Sequence, residues 1–308
     1  MEFGAYNPET RTYVSRHKSG LLSVAATTLS DILGVVRLGA GHTVEHIEWP
    51  AEKHDNWNTP DGVSRNVYDL YFRTIDRGVV AWPSTTLYHW IGDCSTYEFA
   101  KLRPYVDTYF NLSEAVLERR SWFMRKYNIV LNGTIGVMYR GTDKSSEAPR
   151  IEPSEYLKYI RAIPAYKQYR ILLVTDDAYA VQYLCKAEQP VVELFRPKQY
   201  YPLDHFLYEP PRTCQAPTVI NPVFVLDEMP VSNGHDAMHN VKDKTISNYE
   251  LGINYLAAVS ILSTCKYFIA DGVSNASLWM YLYRGHADNT VQIHPEFGKG
   301  LRVYNNIK

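Results

Sequence analysis

From residue 134 onward, short apolar runs alternate with stretches whose apolar positions recur at helical spacing. Runs at 134–139, 171–175, 191–195, 267–270 and 290–294 have the length and residue types of buried strands. Between them, 154–163, 177–187, 248–263 and 275–283 carry a helical period, with Ser154 placed to cap the first of these helices. A polar stretch rich in Pro, His and Asp, residues 196–247, interrupts the series. Strands alternating with helices predict a parallel, doubly wound α/β sheet.

The first half begins in the same way. A strand at 12–14, a Ser19-Gly20 turn, a helix over 21–38 and a strand at 43–49 make a βαβ start. Residues 50–110 hold Pro50, Pro60 and Pro83 and show no clean period. Ser113 can cap a helix to about residue 127, with Val116, Leu117, Phe123, Met124 and Tyr127 at helical spacing. The boundary falls near 128–133. The expected architecture is two Rossmann-like domains, 1–130 and 131–308, facing a central cleft.

Length and composition narrow the function classes. The chain has 308 residues, 45% apolar and 21% charged, in the range of ordinary globular proteins. A net charge of −1 gives no reason to expect nucleic acid or an anionic membrane as the main partner. No run reaches the roughly 18 apolar residues that span a bilayer. The start, Met1-Glu2-Phe3-Gly4, lacks the basic and apolar regions of a signal peptide, so a cytoplasmic chain is expected, with peripheral membrane association left open. Cys94, Cys185, Cys214 and Cys265 are too scattered for a disulfide or zinc framework and are expected to be reduced.

Chemistry concentrates at the ends of three predicted strands. Residues 136–147 read G-V-M-Y-R-G-T-D-K-S-S-E: a strand that breaks into a turn carrying Arg140, Asp143, Lys144 and Glu147. Ligands of open α/β sheets bind outside the carboxyl ends of the strands, and a cation pair there suits a diphosphate. Thr175-Asp176-Asp177 ends the next strand, and its carboxylates serve either as helix caps or as a pocket rim. The segment from Asp271 through Gly272, Ser274, Asn275 and Ser277 ends a third strand and opens a helix. It reads as an anion site at a helix N-terminus, slightly ahead of an ordinary capped turn.

Other patterns point away from common chemistries. Gly39-Ala40-Gly41-His42 lacks a third glycine and precedes a strand, so it fails as a dinucleotide fingerprint and reads as a helix end. His42 with His46, and His235 with His239, have metal-ligand spacing but no intervening Glu in the zincin position, and read as structural or solvated. No D-x-D metal motif, nucleophile elbow or P-loop is present.

Residues 136–156 resemble the donor-site motif of the α1,6-fucosyltransferase superfamily, to which protein O-fucosyltransferases are distantly related. The family pattern G-V-H-V-R-R-T-D-K, a Glu and then P-x-E-E-Y is matched by G-V-M-Y-R-G-T-D-K, Glu147 and Pro153-Ser154-Glu155-Tyr156. Val174-Thr175-Asp176-Asp177 is similar to the family's A-T-D-D. Residues 262–275 are similar to its strand and Ser-rich turn. The likeness covers residues 134–285.

The resemblance implies a GT-B glycosyltransferase that inverts the anomeric centre without a metal or other cofactor. It implies a donor nucleotide sugar, GDP-fucose first, and a glycan acceptor. Arg140 would stabilise the leaving diphosphate, Glu147 would serve as base and Lys144 would orient it. Gly141, Thr142, Asp143, Asp176, Asp177, Asp271, Ser274, Asn275 and Ser277 would line the donor site. Glu147 reads equally as an exposed loop carboxylate. The acceptor side would include the loop at Ser19-Gly20 and the aromatic residues Trp82, Tyr88 and Trp90, which serve equally as core. This chain departs from the pattern where Gly141 stands for the family's second arginine, and where Met138 and Ala258 stand for its guanine-reading histidine and aspartate. Three rivals therefore stay open: a UDP- or other NDP-sugar donor, a non-catalytic glycan- or nucleotide-binding domain, and a hydrolase.

Overall fold

The structure is a computed structural model and describes residues 4–38, 43–59, 61–62, 66–75, 97–141, 148–188, 223–231, 245–272, 274–296 and 300–308. The N-terminal half opens with β1 (Gly4–Asn7) antiparallel to β2 (Thr12–Ser15). Helix α1 (Leu21–Val36) then crosses over to β3 (His46–Glu48), which pairs parallel with β2. The expected βαβ start is present, with β3 shorter than 43–49 because only its centre pairs. Short helices α2 (Ala51–His54) and α3 (Tyr68–Tyr71) follow. The ribbon of β4 (Phe72–Arg73) and β5 (Asn111–Leu112) encloses α4 (Phe99–Tyr109), and α5 (Glu114–Lys126) leads out.

The C-terminal half is a six-stranded sheet among the described residues. Its order is β11 (Gly300–Asn305), β10 (Thr290–Glu296), β9 (Tyr267–Asp271), β6 (Thr134–Tyr139), β7 (Arg170–Thr175), β8 (Val223–Val225). All run parallel except β11, which is antiparallel to β10. The chain builds from β6 out to β8, then returns to the other side of β6 with β9. This reversal makes the carboxyl ends of β6 and β9 the switch point, where open sheets hold ligands.

Every residue of β6 is buried, as a strand covered on both faces requires. Its alternate residues Ile135, Val137 and Tyr139 join Tyr156, Leu157 and Ile160 of α6 (Pro153–Ala162) and Ala180 and Leu184 of α7 (Ala178–Ala187). On the other face Met138, Leu172, Phe268 and Ala270 pack beneath α8 (Asn248–Thr264) and α9 (Asn275–Arg284). This second core runs on into α1, α4 and α5. Trp279 of α9 is fully buried there, stacks with Phe72, lies tilted against Phe110, and donates from Nε1 to the Leu22 carbonyl at 2.9 Å.

Some local expectations need correction. Ser154 does not cap α6: Glu152 holds the N-cap position and Pro153 the first helical one, where a fixed φ and a missing N–H suit proline. Ser113 stands at the N-cap of α5, but its hydroxyl donates to the Leu70 carbonyl at 2.9 Å and makes no capping bond. Strand β8 lies inside the stretch that reads as polar. The strand expected at 191–195, Gly39 to His42, Cys94 and Cys214 lie outside the described residues, and Cys185 and Cys265 are free thiols.

Tyrosine is unusually abundant, with 25 residues. Burial pushes Tyr139 up to about 12, with the neighbouring Arg150 pulling it partly back, and drives Tyr13, Tyr68 and Tyr71 upward too. These hydroxyls hold their protons more tightly folded than unfolded, where tyrosine titrates near 10. Their contribution to stability is complete below about pH 10 and declines above it, that of Tyr139 being lost as pH rises through about 12. Absorbance at 295 nm should therefore show exposed tyrosines ionising first and a buried set ionising together with unfolding. A single step near pH 10 with far-UV circular dichroism unchanged would refute this.

Candidate active site

Arg140 follows β6 directly, so the end of the strand delivers it to the switch point. Its Nε lies 3.0 Å from Asp176 Oδ2 at the end of neighbouring β7, and its Nη1 donates to the Tyr255 hydroxyl of α8 at 2.9 Å. Asp176 also accepts from the Gly141 backbone N–H at 3.3 Å. The guanidinium is 17% exposed and the carboxylate 7%. Ions this deep in protein need partners, because desolvation outweighs a single weak contact. Burial raises the Tyr255 hydroxyl above the usual tyrosine range, with Arg140 pulling the other way.

Asp177, the next residue, turns to the opposite side. Its Oδ1 caps α7 by accepting from the backbone N–H of Tyr179 at 2.8 Å and of Ala180 at 3.3 Å. Its Oδ2 receives Arg150 Nη2 at 2.7 Å. Arg150 also donates from Nε to the Tyr139 hydroxyl at 3.3 Å and lies over the Tyr179 ring, 5.2 Å from its centroid. Gly141 sits between the two aspartates. A Cβ there would meet Asp177 Oδ2 at 2.2 Å and the Tyr139 ring at 2.6 Å, so only glycine fits.

At the end of β9, Asp271 accepts from the Ser274 backbone N–H at 2.7 Å and from the hydroxyls of Ser274 and Ser277 at 3.0 and 3.1 Å. Ser274 Oγ caps α9 through the Ser277 N–H at 3.3 Å. All three side chains are buried, so the N-terminus of α9 already carries a carboxylate and two hydroxyls of its own. Two further atoms in this region are shielded from solvent and have no hydrogen-bond partner among the described residues: Asn275 Oδ1 and the Tyr156 hydroxyl. Such atoms are few in folded proteins, and ordered water commonly satisfies them.

Of the residues singled out in the sequence, Arg140, Gly141, Asp176 and Asp177 converge at the ends of β6 and β7, and Asp271, Ser274, Asn275 and Ser277 stand at the end of β9. Thr142, Asp143, Lys144 and Glu147 lie outside the described residues, as do Trp82, Tyr88, Trp90, His42, His235 and His239. His46 is exposed on β3. Met138 and Ala258 are 1% and 0% exposed in the core, where no side chain reaches a ligand. Tyr255 and Arg150 escaped sequence reading. Tyr255 lies 115 residues from Arg140, with no local pattern to mark it. Arg150 is the next cation after Lys144 in the sequence, and that spacing is the signal that marks it.

No protein-family model matches the chain, and no curated protein matches it in sequence. Solved structures do. The crystal structure of the fucosyltransferase NodZ from Bradyrhizobium aligns over 95% of this chain and 98% of its own, with a TM-score of 0.50 and 13% identity. The fold is GT-B. NodZ α-1,6-fucosyltransferase co-crystallised with GDP and the same enzyme soaked with GDP-fucose align over 95% of this chain and 97% and 98% of theirs, each with a TM-score of 0.49 and 11% identity. Among the described residues no helix is long and apolar enough to cross a membrane, and no three His, Cys, Asp or Glu side chains cluster as a metal site.

Proposed function

We propose that this chain is an inverting glycosyltransferase that works without a metal and moves a sugar, fucose from GDP-fucose first, to a glycan acceptor. The single observation that carries this reading is Arg140, a mostly buried guanidinium fixed by Asp176 and Tyr255 at the switch point of a GT-B sheet. Segment 131–308 holds the donor and segment 1–130, with the loop at Ser19-Gly20, holds the acceptor. The acceptor oxygen attacks the anomeric carbon, its proton passes to Glu147, and the bond to the diphosphate breaks. Charge grows on the departing phosphate, where Arg140 stabilises it by charge-assisted hydrogen bonds. Lys144 balances charge beside Glu147. The shielded Asn275 Oδ1 supplies a further polar contact to the sugar nucleotide.

A donor with another base is the second reading, because Met138 and Ala258 are core residues without hydrogen-bonding groups. The test is thermal stability against nucleoside diphosphates and their sugars, with EDTA present. A selective rise with GDP and GDP-fucose is expected. A selective rise with UDP or its sugars would keep the reaction class and replace the donor. No rise with any nucleotide would leave a non-catalytic glycan-binding domain.

A further inference from the structure

Arg150, Asp177 and Tyr179 form one rigid unit at the end of β7 that no part of the reaction above uses. The two oxygens of Asp177 divide the work: Oδ2 holds the guanidinium of Arg150, and Oδ1 holds the backbone of Tyr179. Asp177 thereby anchors the Arg150 guanidinium and the Tyr179 backbone side by side, and the guanidinium carbon lies 5.2 Å from the centroid of the Tyr179 ring. Both groups reach the surface, Arg150 at 36% and Tyr179 at 48% exposure, and a tyrosine ring this exposed buries little area for the fold's benefit. Asp177 neutralises Arg150, which suits the unit to a neutral planar partner better than to a phosphate.

The unit is also joined to Arg140. Asp176 and Asp177 are consecutive, and Gly141 touches both: its N–H reaches Asp176, and its missing side chain is what lets the Asp177 carboxylate lie against the end of the strand. Gly141 is thus a low strip between the two arginines, and any other residue there would close it.

We propose that Arg150 and Tyr179 are the stacking platform for the nucleobase of the donor, so that the nucleotide runs from Arg140 across Gly141 to Tyr179. This rests on the reading of Arg140 as the diphosphate site. Bases stack on aromatic rings and on guanidinium planes, and the stack accepts any base because every base presents a π-face. Such a platform holds the base without Met138 or Ala258, which are sealed in the core.

Calorimetric titration with GDP, UDP and inorganic pyrophosphate tests the platform, using the whole chain and its Tyr179→Ala and Tyr179→Phe variants. Because Tyr179 is half exposed, both variants are expected to melt as the native chain does. Tyr179→Ala should weaken nucleoside diphosphate binding about tenfold or more, the size of a lost base–aromatic stack. Tyr179→Phe should restore it, and pyrophosphate should bind all three chains alike. Native-like GDP and UDP binding by Tyr179→Ala would overturn the platform and leave the role of Arg140 standing. A native chain that binds neither nucleotides nor pyrophosphate would overturn both.

Discussion

Arg140→Ala is expected to abolish sugar transfer and to weaken nucleoside diphosphate binding by about 2 kcal/mol or more, the scale of a lost charge-assisted hydrogen bond. Two effects act in the same direction. The variant removes the cation that meets the leaving diphosphate. It also strands Asp176, a carboxylate 7% exposed whose cationic neighbour was 3.0 Å away. An uncompensated buried charge is costly, so a fall in melting temperature should accompany the loss of binding. Arg140→Lys separates the two effects. It keeps a charge for Asp176 but lacks the planar fork that spans Asp176 and Tyr255, so it should recover stability more than turnover. Calorimetry with the nucleotide, alongside a transfer assay, reads both. Full activity in Arg140→Ala would remove the proposed function.

The largest expected effect on stability lies far from the chemistry. Trp279→Ala should cost about 3–5 kcal/mol, the range for truncating a large aromatic in a close-packed core. Trp279 is completely buried, and its indole N–H donates to the Leu22 carbonyl of α1, a bond across the core that the variant removes. It also joins the two halves of the chain, since Leu22, Phe72 and Phe110 come from the first and Trp279 from the second. With one core running through both, urea unfolding followed by far-UV circular dichroism should show a single transition that moves as a whole in the variant. Two separated transitions in the native protein, or a loss below about 1 kcal/mol on the same scale, would show that the shared core is not a cooperative unit.

Much of the C-terminal half could be read before folding. Strand β6 falls at the expected residues, and β7, β9 and β10 differ only at their ends. Central parallel strands are buried on both sides, so their apolar runs are continuous and their ends are sharp. Helix α8 was equally plain, and Ser247 with Glu250 closes a capping box at its start. The missed elements share a different physics. Strands β1, β8 and β11 are short or lie at a sheet edge, where half-exposed positions leave no clean alternation. Helix α4 carries Pro104 in its interior, a residue that breaks isolated helices. It forms because Leu102, Tyr105 and Val106 are buried against the rest of the core, and tertiary burial outweighs local propensity.

The alternation of strands and helices, and the three strand ends at which Arg140, Asp176, Asp177 and Asp271 stand, are legible along the chain, because hydrophobic period and chain-local turns are properties of neighbouring residues. Which of these ends meet depends on how the strands are ordered in the folded sheet. The order of strands places β6 between β7 and β9, and only that order brings Arg140 to Asp176 and, over 115 residues, to Tyr255. It likewise brings Arg150 to Asp177 and leaves room at Gly141 for the two to approach. Contacts of this kind depend on how whole faces pack to exclude water, and no window along the chain contains both partners.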